Sequence, residues 1–145
     1  MSQNQDLPAK LQDIANEFAE VPDSDRLQLL LEFSQSLPEL PERYAEHPEL
    51  LEPVPECQSP IFLVTEVEDD IVNLFFSAPQ EAPTTRGFAS ILHEGLNGEN
   101  VETVLSTPSD VAMRLSMTDQ VSPLRLNGMS GMLARIQRQV KEATA

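Results

Sequence analysis

The chain is short of thiols, imidazoles and cations. Cysteine occurs once and histidine twice in 145 residues. One cysteine cannot close an internal disulfide, and with two histidines it falls short of the Cys/His-rich ligand set of an ordinary zinc site. Nine Lys and Arg stand against 24 Asp and Glu, a formal net charge of −15. Nucleic acid and anionic lipid both need a basic surface, so no nucleic-acid or membrane partner is expected. No apolar run approaches the roughly 18 residues of a membrane span. The stretch from Met1 to Asp6 has neither a basic nor an apolar signal region, so no secretory signal is expected. A lone thiol without a signal suits the reducing cytoplasm. A phosphate loop is also missing: Gly128-Met129-Ser130-Gly131 sits inside a helical pattern and carries no lysine.

What is present is an apolar pattern sufficient for one domain over residues 1–145, with disordered tails expected at about 1–6 and 142–145. Leu11, Ile14, Ala15 and Phe18 fall on one helical face, with Pro8 in the first turn. Val21-Pro22 breaks that helix. Asp23, Ser24 and Asp25 open a second one, in which Leu27, Leu30, Leu31 and Ser34, widened by Leu29 and Phe33, predict packing on two sides. Pro38 ends it.

From Pro38 to Pro60, six prolines alternate with Glu39, Glu42, Glu46, Glu49, Glu52 and Glu56. Proline blocks helix and central strand alike, so the stretch reads as an extended, solvated surface connection. Residues 61–67 and 71–77 are β-branched and aromatic around a Glu68-Asp69-Asp70 turn, and predict an antiparallel hairpin with both faces covered. Thr84 or Thr85 can cap a helix carrying Phe88, Ile91, Leu92 and Leu96. Within it Gly87 suits a close approach to another element, and Asn97-Gly98 is a stop. Val101, Val104 and Leu105 mark a short helix, and Thr107-Pro108-Ser109-Asp110 predicts the start of another. Ser122-Pro123 opens a last helix with Met129, Met132, Leu133, Ile136 and Val140 as its core stripe. Arg135, Arg138 and Lys141 complement its dipole. Segregated helices around a small antiparallel sheet read as α+β.

Cys57, between Pro55 and Pro60 at a loop-to-strand junction, is the one strong nucleophile candidate. A lone cysteine is more often a small buried hydrophobe, but this position is polar and proline-framed. Glu56 beside it disfavours the thiolate, so a reactive Cys57 needs a compensating cation, for which Arg125 and Arg86 are candidates. His47 and His93 bear no helical or hairpin relation to Cys57 and read as a loop residue and a polar helix-face residue. The glutamates read as a solvated surface, and Met129 and Met132 as core.

Four pieces in order resemble the SufE-type cysteine desulfuration family, over roughly Ile14 to Val140. They are Leu37-Pro38-Glu39-Leu40, Cys57-Gln58-Ser59 before the strand Ile61-Phe62-Leu63-Val64, Arg86-Gly87-Phe88, and Ser122-Pro123-Leu124-Arg125-Leu126-Asn127-Gly128-Met129. The resemblance implies a small antiparallel sheet packed with helices, similar to IscU-type scaffolds. It implies that Cys57 takes persulfide sulfur from a SufS-type cysteine desulfurase and relays it to an iron-sulfur scaffold protein, enhancing the desulfurase. Pyridoxal phosphate would belong to that partner, with no cofactor or metal on this chain and no turnover of its own without the desulfurase. Arg125 matches the family's arginine after Ser-Pro and is expected to stabilise the thiolate or persulfide. Two positions depart from the family pattern: Glu56 stands for a glycine and Pro60 for a glutamine. The alternatives from the residues are a thiol redox sensor, disfavoured by the missing resolving cysteine, and a non-catalytic desulfurase-binding regulator.

Overall fold

The computed structural model describes residues 6–145. Residues 1–5, read above for a signal and as part of a tail, lie outside the described residues. The helices are α1 (Ala9–Glu20), α2 (Asp23–Ser34), α3 (Glu42–Ala45), α4 (Pro83–Leu96), α5 (Val101–Leu105) and α6 (Pro123–Thr144). The strands are β1 (Glu52–Pro53), β2 (Phe62–Glu68) and β3 (Ile71–Ser77), in one antiparallel sheet of order β1-β2-β3. The fold is α+β.

The hairpin forms as expected. Asp69 and Asp70 take positive φ, 53° and 68°, and two successive left-handed residues match the twist of paired strands. Glu68 then faces Ile71, and the register runs to Phe62 opposite Ser77. One face is the drier of the two. Leu63, Val72, Leu74 and Phe76 are buried, whereas Val64, Glu66, Asn73 and Phe75 are half-buried. The second face is partly covered by α3, whose Tyr44 ring lies 5.1 Å from that of Phe75.

The dry face packs on α6 and α4, and α4 is flanked in turn by α1 and α2. These crossings are close. A Cβ on Gly87 would stand 2.6 Å from the Leu30 carbonyl oxygen of α2, which is the close approach expected of that glycine. Contrary to expectation, α2 is buried on one side only: Leu30, Phe33 and Ser34 are covered, Leu29 and Leu31 are half-buried, and Leu27 is exposed. Its wide apolar stripe exceeds the surface that α4 can cover.

Other local expectations are corrected. Neither Thr84 nor Thr85 caps α4. Pro83 is its first residue, Ala82 precedes it, and Thr85 is buried. Pro108 opens no α-helix. A 3-10 turn forms later, at Val111–Leu115, behind an Asp110–Arg114 ion pair. The helix α6 begins as expected, with the Ser122 hydroxyl accepting from the Arg125 N–H, but it continues through Thr144, so 142–144 are helical rather than a loose tail.

The largest correction concerns residues 38–60. The segment is not an element-free solvated connection. It holds α3, 3-10 turns at Pro48–Leu50 and Pro55–Cys57, and the edge strand β1, and it buries Tyr44, Leu51, Val54 and Cys57. Proline is compatible with each piece. Pro48 and Pro55 open 3-10 turns, where their missing N–H groups have no ladder to break, and Pro53 lies on an edge strand of two residues.

Candidate functional site

The loop carrying Cys57 is closed at its base, where the Val54 N–H donates to the Ile61 carbonyl at 2.9 Å. Between these residues the chain makes the 3-10 turn Pro55–Cys57, passes Gln58 in the left-handed region (φ 59°), and returns through Ser59-Pro60. The loop lies flat on α6. Two glycines three residues apart make this contact possible. A Cβ on Gly128 would meet Cys57 Sγ at 3.1 Å and its Cα at 3.2 Å, and one on Gly131 would meet Glu56 Cδ at 2.9 Å. The Cys57 thiol donates to the Gly128 carbonyl, 3.5 Å away, and Cys57 is only 8% exposed. Burial, with the Glu56 carboxylate adding to it and Arg135 opposing, pushes the thiol pKa from 9.0 up to about 12. Seated this way, Cys57 is a protonated, covered thiol.

The acidic residues around it are not a solvated fringe. Arg135 Nη1 lies 2.9 Å from Glu56 Oε1, and Arg135 Nε lies 3.4 Å from Glu52 Oε2. Arg138 also pairs with Glu52, which accepts from Gln139 Nε2 at 2.9 Å as well. Both carboxyls sit below the ordinary value of 4.5. For Glu52, burial pushes upward and is outweighed by Gln139, Arg138 and Arg135. For Glu56, its own backbone N–H lowers the value, burial opposes, and Arg135 adds to the lowering. Sequence reasoning assigns Arg135 and Arg138 to the helix dipole. The structure turns them across to the loop. Glu66 is likewise engaged, by Arg43 and Tyr44.

In front of Cys57 opens a pocket of about 300 Å³, lined by Gln58, Ser59, Glu81, the start of α4, Leu124 and Arg125. Arg125 is exposed and belongs to the same pocket as Cys57. Arg86, the other candidate cation, does not. Its guanidinium donates to the carbonyls of Ser34 and Ala78, at 2.8 Å and 2.5 Å, and ties α2 to the chain before α4. His47 pairs with Glu49 in its loop. His93 is half-buried rather than solvated, and burial, helped by Lys10, lowers its pKa. Neither histidine lines the pocket at Cys57. Met129 and Met132 are buried in the core, as expected. Among the described residues no three His, Cys, Asp or Glu side chains are grouped to hold a metal ion, and no helix is long and apolar enough to cross a membrane.

The residues missed by sequence reasoning are Gly128, Gly131 and Arg135. A signal was present: small residues three apart break an otherwise strong helical stripe, with an arginine one turn on from Gly131.

The chain matches a known family over most of its length. The family model SufE, described as an Fe-S metabolism associated domain, matches residues 12–140, and the chain belongs to that family. A SufE-like protein of Mycobacterium tuberculosis, itself uncharacterized, is 53% identical over 138 residues, which is 94% of this chain and 95% of that protein. The Arabidopsis thaliana SufE-like protein 1, chloroplastic/mitochondrial, is 28% identical over 92% of this chain, which corresponds to 35% of that longer protein. The solution structure of a hypothetical protein from Thermus thermophilus superposes with a TM-score of 0.84 at 38% identity, covering 96% of this chain and 98% of the other. Membership ties the chain to iron-sulfur metabolism.

Proposed function

We propose that this chain, working as one SufE-like domain in the cytoplasm, accepts sulfur on Cys57 from the persulfide of a SufS-type cysteine desulfurase and relays it to an iron-sulfur scaffold protein. The observation that carries this reading is the placement of the only thiol of a SufE-family chain on a closed loop beside a pocket that also holds Arg125. In the transfer, the Cys57 thiol loses its proton to solvent or to a partner base. Its sulfur attacks the outer sulfur of the donor persulfide, the donor's S–S bond breaks, and the donor cysteine leaves as a thiolate. One S–S bond forms as one breaks, so no external oxidant or reductant enters. The acceptor needs no cofactor, and pyridoxal phosphate serves the desulfurase. Arg125 would stabilise the anionic sulfur once the loop has opened toward it.

A buried thiol with a raised pKa fits a carrier better than a sensor. A peroxide sensor must offer its thiolate to a small oxidant in the resting state. A carrier needs its thiolate only when docked, when the loop has left its seat. The test is incubation with a SufS-type desulfurase and L-cysteine, alkylation, and mass spectrometry. One extra sulfur atom on Cys57, and loss of desulfurase stimulation in Cys57→Ser, are the expected results. An unmodified thiol, or stimulation that survives in Cys57→Ser, would leave the non-catalytic regulator.

A further inference from the structure

We infer that Arg135 is a positioning residue for Cys57: acting through Glu56, and together with the Glu52–Arg138 pair, it clasps the cysteine loop to α6 and sets how often the thiol is exposed. Its observations are independent of the pocket and of Arg125. One carboxylate, Glu52, stands on β1 before the loop and the other, Glu56, within it, and their partners lie on one face of α6, at Arg135 and Arg138. The partners are 79 and 86 residues apart in sequence, for Glu56–Arg135 and Glu52–Arg138. Arg135 bridges both carboxylates, so it joins the strand before the loop to the loop itself. Gly131 is the complementary notch. Without a side chain there, the Glu56 stem settles on the helix, and Arg135 Nη1 is fixed between Glu56 and the Gly131 carbonyl, 3.2 Å away. Glu56 and Arg135 are partly covered, so their attraction is screened less than that of a fully exposed pair.

Glu56 and Cys57 belong to one 3-10 turn, so holding Glu56 also holds the backbone of Cys57 against Gly128. Lifting the thiol therefore means parting the Glu56–Arg135 contact. A docked partner that opens the loop finds two arginines exposed on α6, Glu56 on the loop and Glu52 on β1, each able to bind its opposite charge.

This inference rests on the acceptor reading for its purpose, but its test does not. The isolated full-length protein is treated with excess iodoacetamide at mildly alkaline pH, and the appearance of alkylated Cys57 is timed by intact mass. For a thiol that reacts only from an open state, the rate follows the open population. Glu56→Gln and Arg135→Gln are each expected to speed alkylation about 2- to 5-fold at low salt, the scale of one such ion pair. The double variant is expected to be no faster than the faster single, since both changes cut the same contact. Arg135→Lys should recover part of the protection. The wild-type rate should rise with salt and the Gln variants should show a weaker dependence, since only the Glu52 pairs remain, a change that general loosening of the fold would not produce. Wild-type rates in both folded single variants, or an unchanged salt dependence, would overturn the clasp. If the charge variants fail to fold, Gly131→Ala decides. It keeps every charge and favours helix, but its Cβ displaces Glu56, so faster alkylation supports the clasp and a wild-type rate overturns it. A missing persulfide with these results intact would sink the acceptor role alone.

Discussion

The sulfur of Cys57 rests against the Gly128 carbonyl with its proton on, and ionisation is linked to departure. Its pKa moves from 9.0 up to about 12 because burial and Glu56 disfavour the thiolate. The upward shift has a definite sign for stability. Below pH 9 the thiol is protonated in both folded and unfolded chains and contributes no pH dependence. From there toward pH 12 the unfolded chain releases the proton and the folded one holds it, so stability falls as pH rises. The same linkage shapes reactivity. In denaturant, alkylation should level off above the ordinary thiol value. In the native protein it should keep climbing tenfold per pH unit beyond it, since each ionised thiol also holds the loop open. A native plateau near pH 9 would contradict the burial. Glu52 and Glu56 act oppositely. Their folded values lie below 4.5, so their stabilisation is present above that pH and is lost as pH falls below it. At this scale Cys57 and Arg125 were legible in the sequence, from uniqueness, proline framing and family resemblance. Arg135 was not, because no local rule pairs residues 79 positions apart.

Among the elements, α4 is the post on which the others lean. Its Gly87 admits α2 to a distance that no side chain tolerates, with the Leu30 carbonyl oxygen 2.6 Å from where a Cβ would stand. Gly87→Val should therefore force the helices apart and cost about 1–3 kcal/mol, the range for overpacking a tight contact. Equilibrium urea unfolding would measure it, with a fall in midpoint expected. The gross elements were readable because each carries its own period: α1, α4, α5, α6 and the hairpin all lie close to where the apolar pattern puts them. The segment from Pro38 to Pro60 defeats a composition-based reading for a physical reason. Proline forbids interior helix and central ladder positions, but not first turns or edges, and Pro48, Pro53 and Pro55 stand in those permitted places.

For the molecule as a whole, the charge of −15 sets up a contrast. Net self-repulsion works against any compact state, and salt relieves it. Moderate salt should therefore raise the midpoint of thermal unfolding, read by circular dichroism, even as it weakens the Glu56–Arg135 contact and quickens alkylation of Cys57. A midpoint that falls with salt would show that the ion pairs on α6 outweigh the global repulsion. The opposite directions of the two responses would separate opening of one loop from unfolding of the chain.

The seat beneath Cys57 has a practical consequence. The helix is cut back to glycine at Gly128, and the fit leaves 3.5 Å between sulfur and carbonyl oxygen. A thiol fits there, but a group on that sulfur larger than the adjoining pocket of about 300 Å³ does not. Because the chain has one cysteine, any thiol-directed tag goes to this loop alone, and a bulky one then bars it from closing. Such a tag works as a wedge, turning a transient open form into a permanent one without changing the sequence. Comparing how tightly wedged and untouched protein bind a partner reads out how much of the docking free energy goes into lifting the loop.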